Sequence, residues 1–195
     1  MVYISQGNRR MKIPTFSLPA EVTCPNATKL CKKYCYAKKA ENVYKNVLPS
    51  RQRNYEESKD ILSFAVSVTK WLNKHKPKYF RIHESGDFYS QEYLDIWCGI
   101  ARLHPETKFL AYTQMYDLNY SFKPNNLILY WSIWPDSKKV PDCGLKAYVK
   151  DNGKNKIPTY NTQGFLCKKG HGTNITCDKC LYCFEGKGDV VFEIH

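Results

Sequence analysis

Lys78-Tyr-Phe-Arg-Ile-His-Glu-Ser-Gly-Asp87 reads as a short strand running into a tight turn. Tyr79, Phe80 and Ile82 are the aromatic and β-branched residues that suit a pleated surface, and Ser85 with Gly86 supplies the small residues of a turn. Upstream, Ile61, Phe64, Ala65, Val68, Trp71 and Leu72 recur at three- and four-residue steps, which predicts a helix over Arg51 to His75 that Pro77 terminates. Downstream, Ser90 is placed to cap a second helix carrying Tyr93, Leu94, Trp97, Ile100 and Ala101 inward until Pro105. Thr107 to Thr113 predicts a further strand. Asn126 to Ile133 predicts another, so continuously apolar that both of its faces should be covered. Met11 to Leu18 alternates as a first or edge strand around Pro14, and Leu145 to Lys150 is one more strand. Strands alternating with helices imply an α/β fold with a parallel sheet.

In such folds ligands gather beyond the carboxyl ends of the strands. That rule selects His83 to Asp87, Thr113 with Gln114, Ser132 to Trp134, and the segment after the first strand. That segment is Cys24-Pro-Asn-Ala-Thr-Lys-Leu-Cys-Lys-Lys-Tyr-Cys-Tyr-Ala37, three cysteines spaced C-x6-C-x3-C. Pro25 and Asn26 predict a loop. Three thiolates from one loop suit a soft metal or a cluster, and three rather than four leave a coordination position open for chemistry. The plainer alternative is three buried cysteines packed as small apolar residues.

A second group, Cys167, Cys177, Cys180 and Cys183, is spaced C-x9-C-x2-C-x2-C. Its tight C-x2-C-x2-C part matches the first three ligands of a bacterial ferredoxin run, which favours a 4Fe–4S cluster, with structural zinc as the alternative. Four thiolates close a site, so this one is expected to be structural or electron-relaying. Cys98 and Cys143 are expected as packed or free thiols, and His171 and the terminal His195 as surface or chain-end residues. His83 is expected either at the site or as a strand-end histidine held by a hydrogen bond.

The chain has 195 residues, enough to bury a core unaided, and it is rich in tyrosine, phenylalanine and tryptophan, which excludes disorder. It has no apolar run long enough to span a bilayer and starts with a polar segment, so a cytoplasmic protein with no membrane partner is expected. Nine cysteines in that compartment argue for metal rather than disulfides. The net charge is +12, and residues 1–60 carry twelve basic against five acidic residues, which makes nucleic acid or a nucleotide the first candidate partner. Solvated lysine-rich surface is the alternative.

Taken together, the order of parts resembles the radical SAM superfamily: first strand, three-cysteine loop, helix, second strand, small acidic turn. The resemblance implies a 4Fe–4S cluster on Cys24, Cys31 and Cys35, with S-adenosylmethionine on its open iron and radical chemistry after its reductive cleavage. It also implies Tyr34 near the adenine and Ser85, Gly86 and Asp87 around the cofactor's amino group, with Thr113 at the same rim by position. Here the spacing is C-x6-C-x3-C where that superfamily usually has C-x3-C-x2-C, and Ser-Gly-Asp stands where it has Gly-Gly-Glu. A closer resemblance is to a phage and mobile-element family described as gene product 88, carried by Cys24 to Ala37, Arg81 to Phe88, Tyr112-Thr113, Cys167 to Cys183 and Val190 to His195. It implies a phage-encoded protein in the host cytoplasm. The expected architecture is a partial βα barrel of radical SAM type over residues 1–140 with a cysteine-rich, metal-binding extension over 141–195. The expected function is either enzymatic, radical SAM-like, or non-catalytic: an iron–sulfur or zinc protein binding nucleic acid or a host protein.

Overall fold

The computed structural model describes residues 2–155, 157–158, 162–167 and 175–194, so His171 and His195 lie outside the described residues. Eight strands form one sheet: β1 (Ile4–Ser5), β2 (Thr15–Phe16), β3 (Tyr79–Ile82), β4 (Lys108–Thr113), β5 (Leu127–Ile133), β6 (Leu145–Lys150), β7 (Phe165–Leu166) and β8 (Val190–Glu193). Their spatial order is β1-β2-β3-β4-β5-β6-β8-β7. Only the β1–β2 pair is antiparallel; every other pair is parallel. The α/β class is thus present as a mixed sheet running from an edge at β1 to an edge at β7. The order ends in two edges, so the sheet is open, and the pairing does not by itself mark it as a partial barrel of radical SAM type. The expected extension is part of the same sheet, contributing β6, β7 and β8.

Helices α1 (Lys29–Lys33), α2 (Tyr36–Val43), α3 (Val47–Lys59) and α4 (Ile61–His75) lie between β2 and β3, α5 (Gln91–Leu103) between β3 and β4, and α6 (Cys177–Cys180) within the late cysteine group. The single helix expected over Arg51 to His75 is two helices. Asp60 leaves helical geometry (ψ 90°) and its carboxylate accepts from the Ser63 amide at 3.2 Å, capping α4. The cysteine stretch is likewise more helical than Pro25 and Asn26 suggested: Thr28 caps α1 through the Cys31 amide, and Cys35 itself caps α2.

The sheet has two unlike faces. On one, Phe16, Phe80, Ile82, Phe109 and Leu127 pack against Phe64, Val68 and Leu72 of α4 and Tyr93, Leu94 and Trp97 of α5. Trp97 meets Phe16 at 5.6 Å and Phe64 at 5.5 Å between ring centroids, both edge-on. Each such buried ring contributes roughly 1.5–3 kcal/mol. On the opposite face no helix of that layer packs. Met11, Ile13, Leu110, Tyr130, Ala147 and Val190 are covered there by Phe184, Leu181 and the late cysteines. β5 therefore has both faces buried, as its apolar run requires. Glu185 fastens the covering segment, accepting from the Tyr79 hydroxyl at 3.0 Å and pairing with Lys108.

His83 closes β3 in an unusual way. Its φ of +65° places it in the left-handed region, which a non-glycine residue adopts at a cost. Simple alternation would put it on the same face as Arg81. The left-handed turn instead sends the imidazole among the helix-side rings, stacked on Tyr93 at 5.6 Å with Nε2 2.9 Å from its hydroxyl. His83 is a buried core histidine here, and burial pushes its pKa down to about 3.

Candidate functional site

The carboxyl ends of β2, β3 and β4 bring together the cysteine segment, Asp87, Thr113 and Gln114. His83, selected by the same rule, is turned into the core. Cys24, Cys31 and Cys35 are near one another: after burial and Asp87, Cys31 and Cys35 also push Cys24 up, and after burial Cys35 pushes Cys31 up. Burial is the largest cause, and it pushes the Cys24 and Cys31 thiols up to about 12. As free thiols these residues are protonated at neutral pH, and only a bound metal would draw them into the thiolate form.

Behind them is a polar clamp. Asp87 Oδ1 accepts from the Thr113 hydroxyl at 2.6 Å and the Phe88 amide at 2.7 Å, and Oδ2 accepts from the Gln114 amide at 2.8 Å. Gln114 Oε1 in turn accepts from the Thr28 amide at 3.3 Å, and its side chain reaches the Cys31 sulfur. The turn after β3, the end of β4 and the cysteine segment are thereby tied into one unit. From the end of β5, Asp136 Oδ2 accepts from the Leu30 amide at 2.9 Å, while its buried Oδ1 has no partner among the described residues. Sequence reasoning stopped at Trp134 and missed Asp136; an acid two residues past that point, opposite a cysteine helix, is the signal that would have found it.

The structure also places each residue expected around S-adenosylmethionine. Ser85 is buried, its hydroxyl without a partner among the described residues. Gly86 has φ +93°, and an added Cβ would come within 2.6 Å of the Leu18 Cβ, so close packing of the turn onto the first strand already requires glycine. Asp87 keeps one acceptor position, on Oδ2, after its three protein donors are counted. Thr113 is spent on Asp87 and on the Met115 amide at 2.9 Å. Tyr34 is half-buried beside the Lys33 ammonium, 5.1 Å from its ring centroid, and its hydroxyl donates to the Asn155 carbonyl at 3.4 Å.

The late cysteines are gathered elsewhere, on the face of the sheet opposite α4 and α5. Cys167, Cys177, Cys180 and Cys183 all line one cavity of about 60 Å³, with Arg81, Tyr112, Tyr182 and Phe192 among the other walls. The Tyr112 hydroxyl lies beside the Cys183 sulfur, whose thiol burial pushes up to about 12. Cys98 is packed in α5 and Cys143 is exposed, each apart from both groups. All nine cysteines are free thiols.

An all-sulfur donor set in a shared cavity fits a thiophilic metal by its chemistry. The sulfurs are gathered rather than closed around a point: among the described residues no three His, Cys, Asp or Glu side chains stand where one ion could hold them. A single zinc ion bound at about 2.3 Å would need its sulfurs roughly 3.8 Å apart. A 4Fe–4S cube places its own irons and sulfides between the thiolates and so needs them further apart. Among the described residues no helix is long and apolar enough to cross a membrane.

Fold and thiols together define an α/β protein of mainly parallel sheet, with one cysteine group at its strand ends and another on the face opposite α4 and α5. The chain belongs to the gene product 88 family, whose model, described as "Gene product 88", matches residues 3–186. It is 34% identical to the Gene 88 protein of Mycobacterium phage L5 over 196 residues, covering 87% of this chain and 81% of the relative. It is also 32% identical to the Gene 88 protein of Mycobacterium phage D29 over 197 residues, with the same coverage. No solved structure matches it.

Proposed function

We propose that this chain is an iron–sulfur protein related in design to radical SAM enzymes, with a 4Fe–4S cluster on Cys24, Cys31 and Cys35 and a second metal centre on Cys167, Cys177, Cys180 and Cys183. The observation that carries the reading is the grouping of three mutually close thiols at the carboxyl ends of parallel strands that succeed one another in chain order from β2 to β6. That order is also what a partial barrel would use. When bound, a cube with one uncoordinated iron supplies a chelation point and an electron for S-adenosylmethionine.

The chain's own residues divide the remaining tasks. Gln114, held by Asp87, orients Cys31, and Asp136 fixes the first turn of α1. The Ser85 hydroxyl and the last acceptor position of Asp87 are the groups available to the cofactor's amino group. Tyr34 offers a ring face beside the mouth. Lys29, Lys32 and Lys33 are exposed along α1, which favours a nucleic acid or nucleotide as the substrate, in the cytoplasm of the host cell. A second reading, a non-catalytic metal protein that binds nucleic acid or a host protein, is favoured by the extent to which Asp87 is already engaged by protein donors.

Anaerobic purification tests the first reading. About eight irons per chain with matching sulfide are expected if both groups hold cubes, falling by half in the Cys24→Ser variant. Adding S-adenosylmethionine and dithionite should release 5′-deoxyadenosine. Iron that binds without changing its spin spectrum on cofactor addition would leave the non-catalytic reading; colourless, zinc-only protein would exclude the first.

A further inference from the structure

Arg81 has an environment that neither cysteine group alone explains. It sits on β3 between Phe80 and Ile82, which face the helices, so its own side chain projects from the opposite face into the cavity of the late cysteines. Its position is fixed twice. Nε donates to the His83 carbonyl at 3.1 Å, an acceptor brought round by the left-handed turn, and the guanidinium lies 4.6 Å from the centroid of the Tyr112 ring. Neither contact neutralises the charge. Among the described residues no carboxylate stands within ion-pair distance of it. The titratable groups around it include Tyr36, Tyr112, Glu84 and Cys177, and Arg81 acts in turn on His83 and Cys183. Glu84 is beyond ion-pair distance and accepts from the Asn8 side-chain amide at 2.6 Å, and the tyrosines are neutral at ordinary pH.

A guanidinium lining an apolar cavity without a counter-ion is costly, and proteins that keep one supply an anion. Among the described side chains that share the cavity with it are four thiols, and no carboxylate. As thiols they are neutral; as four thiolates around zinc or a 4Fe–4S cube their charge exceeds that of the metal and the centre is anionic. We propose that Arg81 is the counter-charge of an anionic four-thiolate centre at Cys167, Cys177, Cys180 and Cys183, and a positioning residue for that centre through Tyr112, which carries Arg81 on its ring and has Cys183 beside its hydroxyl. The proposal rests on the reading that the late group holds metal, and it adds what sets the charge and affinity of that metal site. Lysine is a poor substitute because it lacks the planar face that stacks on Tyr112.

The test uses the full chain with Cys24, Cys31 and Cys35 changed to serine, so that bound metal reports the late group alone. This parent, Arg81→Gln and Arg81→Lys are loaded with zinc alone, and each is titrated with a chelator and melted with and without metal. The expected result is zinc binding weakened at least tenfold in Arg81→Gln, with Arg81→Lys in between. Metal-free Arg81→Gln should melt no lower than the metal-free parent, because it has lost an uncompensated charge. A purely packing role predicts the reverse, an equal drop with and without metal, and overturns the proposal. Unchanged zinc affinity in Arg81→Gln also overturns it while leaving the late metal centre standing. A parent that binds no zinc, and no iron on anaerobic reconstitution, removes the centre and the counter-charge together.

Discussion

The two cysteine groups are built from the same residue and placed in opposite surroundings. The early group spans a turn and two short capped helices at the strand ends, backed by Asp87, Thr113, Gln114 and Asp136. Behind the late group are Met11, Leu110, Tyr130 and Val190, so it covers an apolar part of the face opposite α4 and α5. Polar backing suits a site that must hold and orient a ligand; apolar backing suits a plug that completes a core. The difference teaches that cysteine spacing identifies a thiol group, while the face of the sheet on which it lands decides whether its loss is felt in chemistry or in stability.

Removing cysteines breaks the comparison most directly. Changing Cys177 and Cys183 to serine should destabilise the fold by at least about 4 kcal/mol, because a closed metal site and the cover of an apolar face are lost together. Changing Cys24 and Cys31 to serine should leave the melting temperature within a few degrees of the parent while abolishing the early cofactor. Thermal denaturation of the anaerobically prepared proteins checks both; equal losses would mean that the two groups are equally structural.

Thiol reactivity sharpens the contrast with the cysteines outside both groups. With Cys24, Cys31 and Cys183 held up to about 12, their thiolate fraction near pH 8 is about a thousandfold below that of an ordinary thiol. In metal-free native protein, iodoacetamide should therefore mark exposed Cys143 first and leave these three nearly untouched. Peptide mapping after timed labelling reads the order. Rapid alkylation of Cys24 would mean that the strand-end group is open to solvent.

Much of this was legible in the chain. β3, β4, β5 and β6 stand where apolar and aromatic runs put them, and Ser90 caps α5 as its position announced, its hydroxyl accepting from the Tyr93 amide at 3.2 Å. β1 and β7 were not, because two residues are too few to show a period. The break at Asp60 was hidden because the polar residues from Arg51 to Lys59 suit an exposed helix turn and hold no Pro or Gly to mark an end. At the site, the strand-end rule found Thr113 and Gln114 but not the clamp, since nothing in sequence says that Asp87 folds back onto β4 rather than outward. Arg81 was opaque for another reason: which face it takes is readable by alternation, but the late segment that makes that face a cavity arrives about a hundred residues later.

The strand ends should also be where stability responds to pH, and here two buried groups pull in opposite directions. Burial, with Arg81 second, holds His83 near 3, below its ordinary 6.5. The unfolded chain therefore takes up that proton first, and stability falls as pH drops below about 6.5. Burial holds Asp87 near 6, above its ordinary 3.8. Its folded form binds the proton more tightly, so its contribution is present at low pH and is lost as pH rises through about 6. Between pH 7.5 and 5.5 each effect is on the order of 1 kcal/mol, and they nearly cancel. Metal-free parent should accordingly show an almost flat urea stability over that range. Asp87→Asn should lose stability on acidification, and His83→Gln should gain it. If both variants track the parent, neither group is buried as the fold places it, and the polar strand ends would no longer differ from the apolar face in this respect.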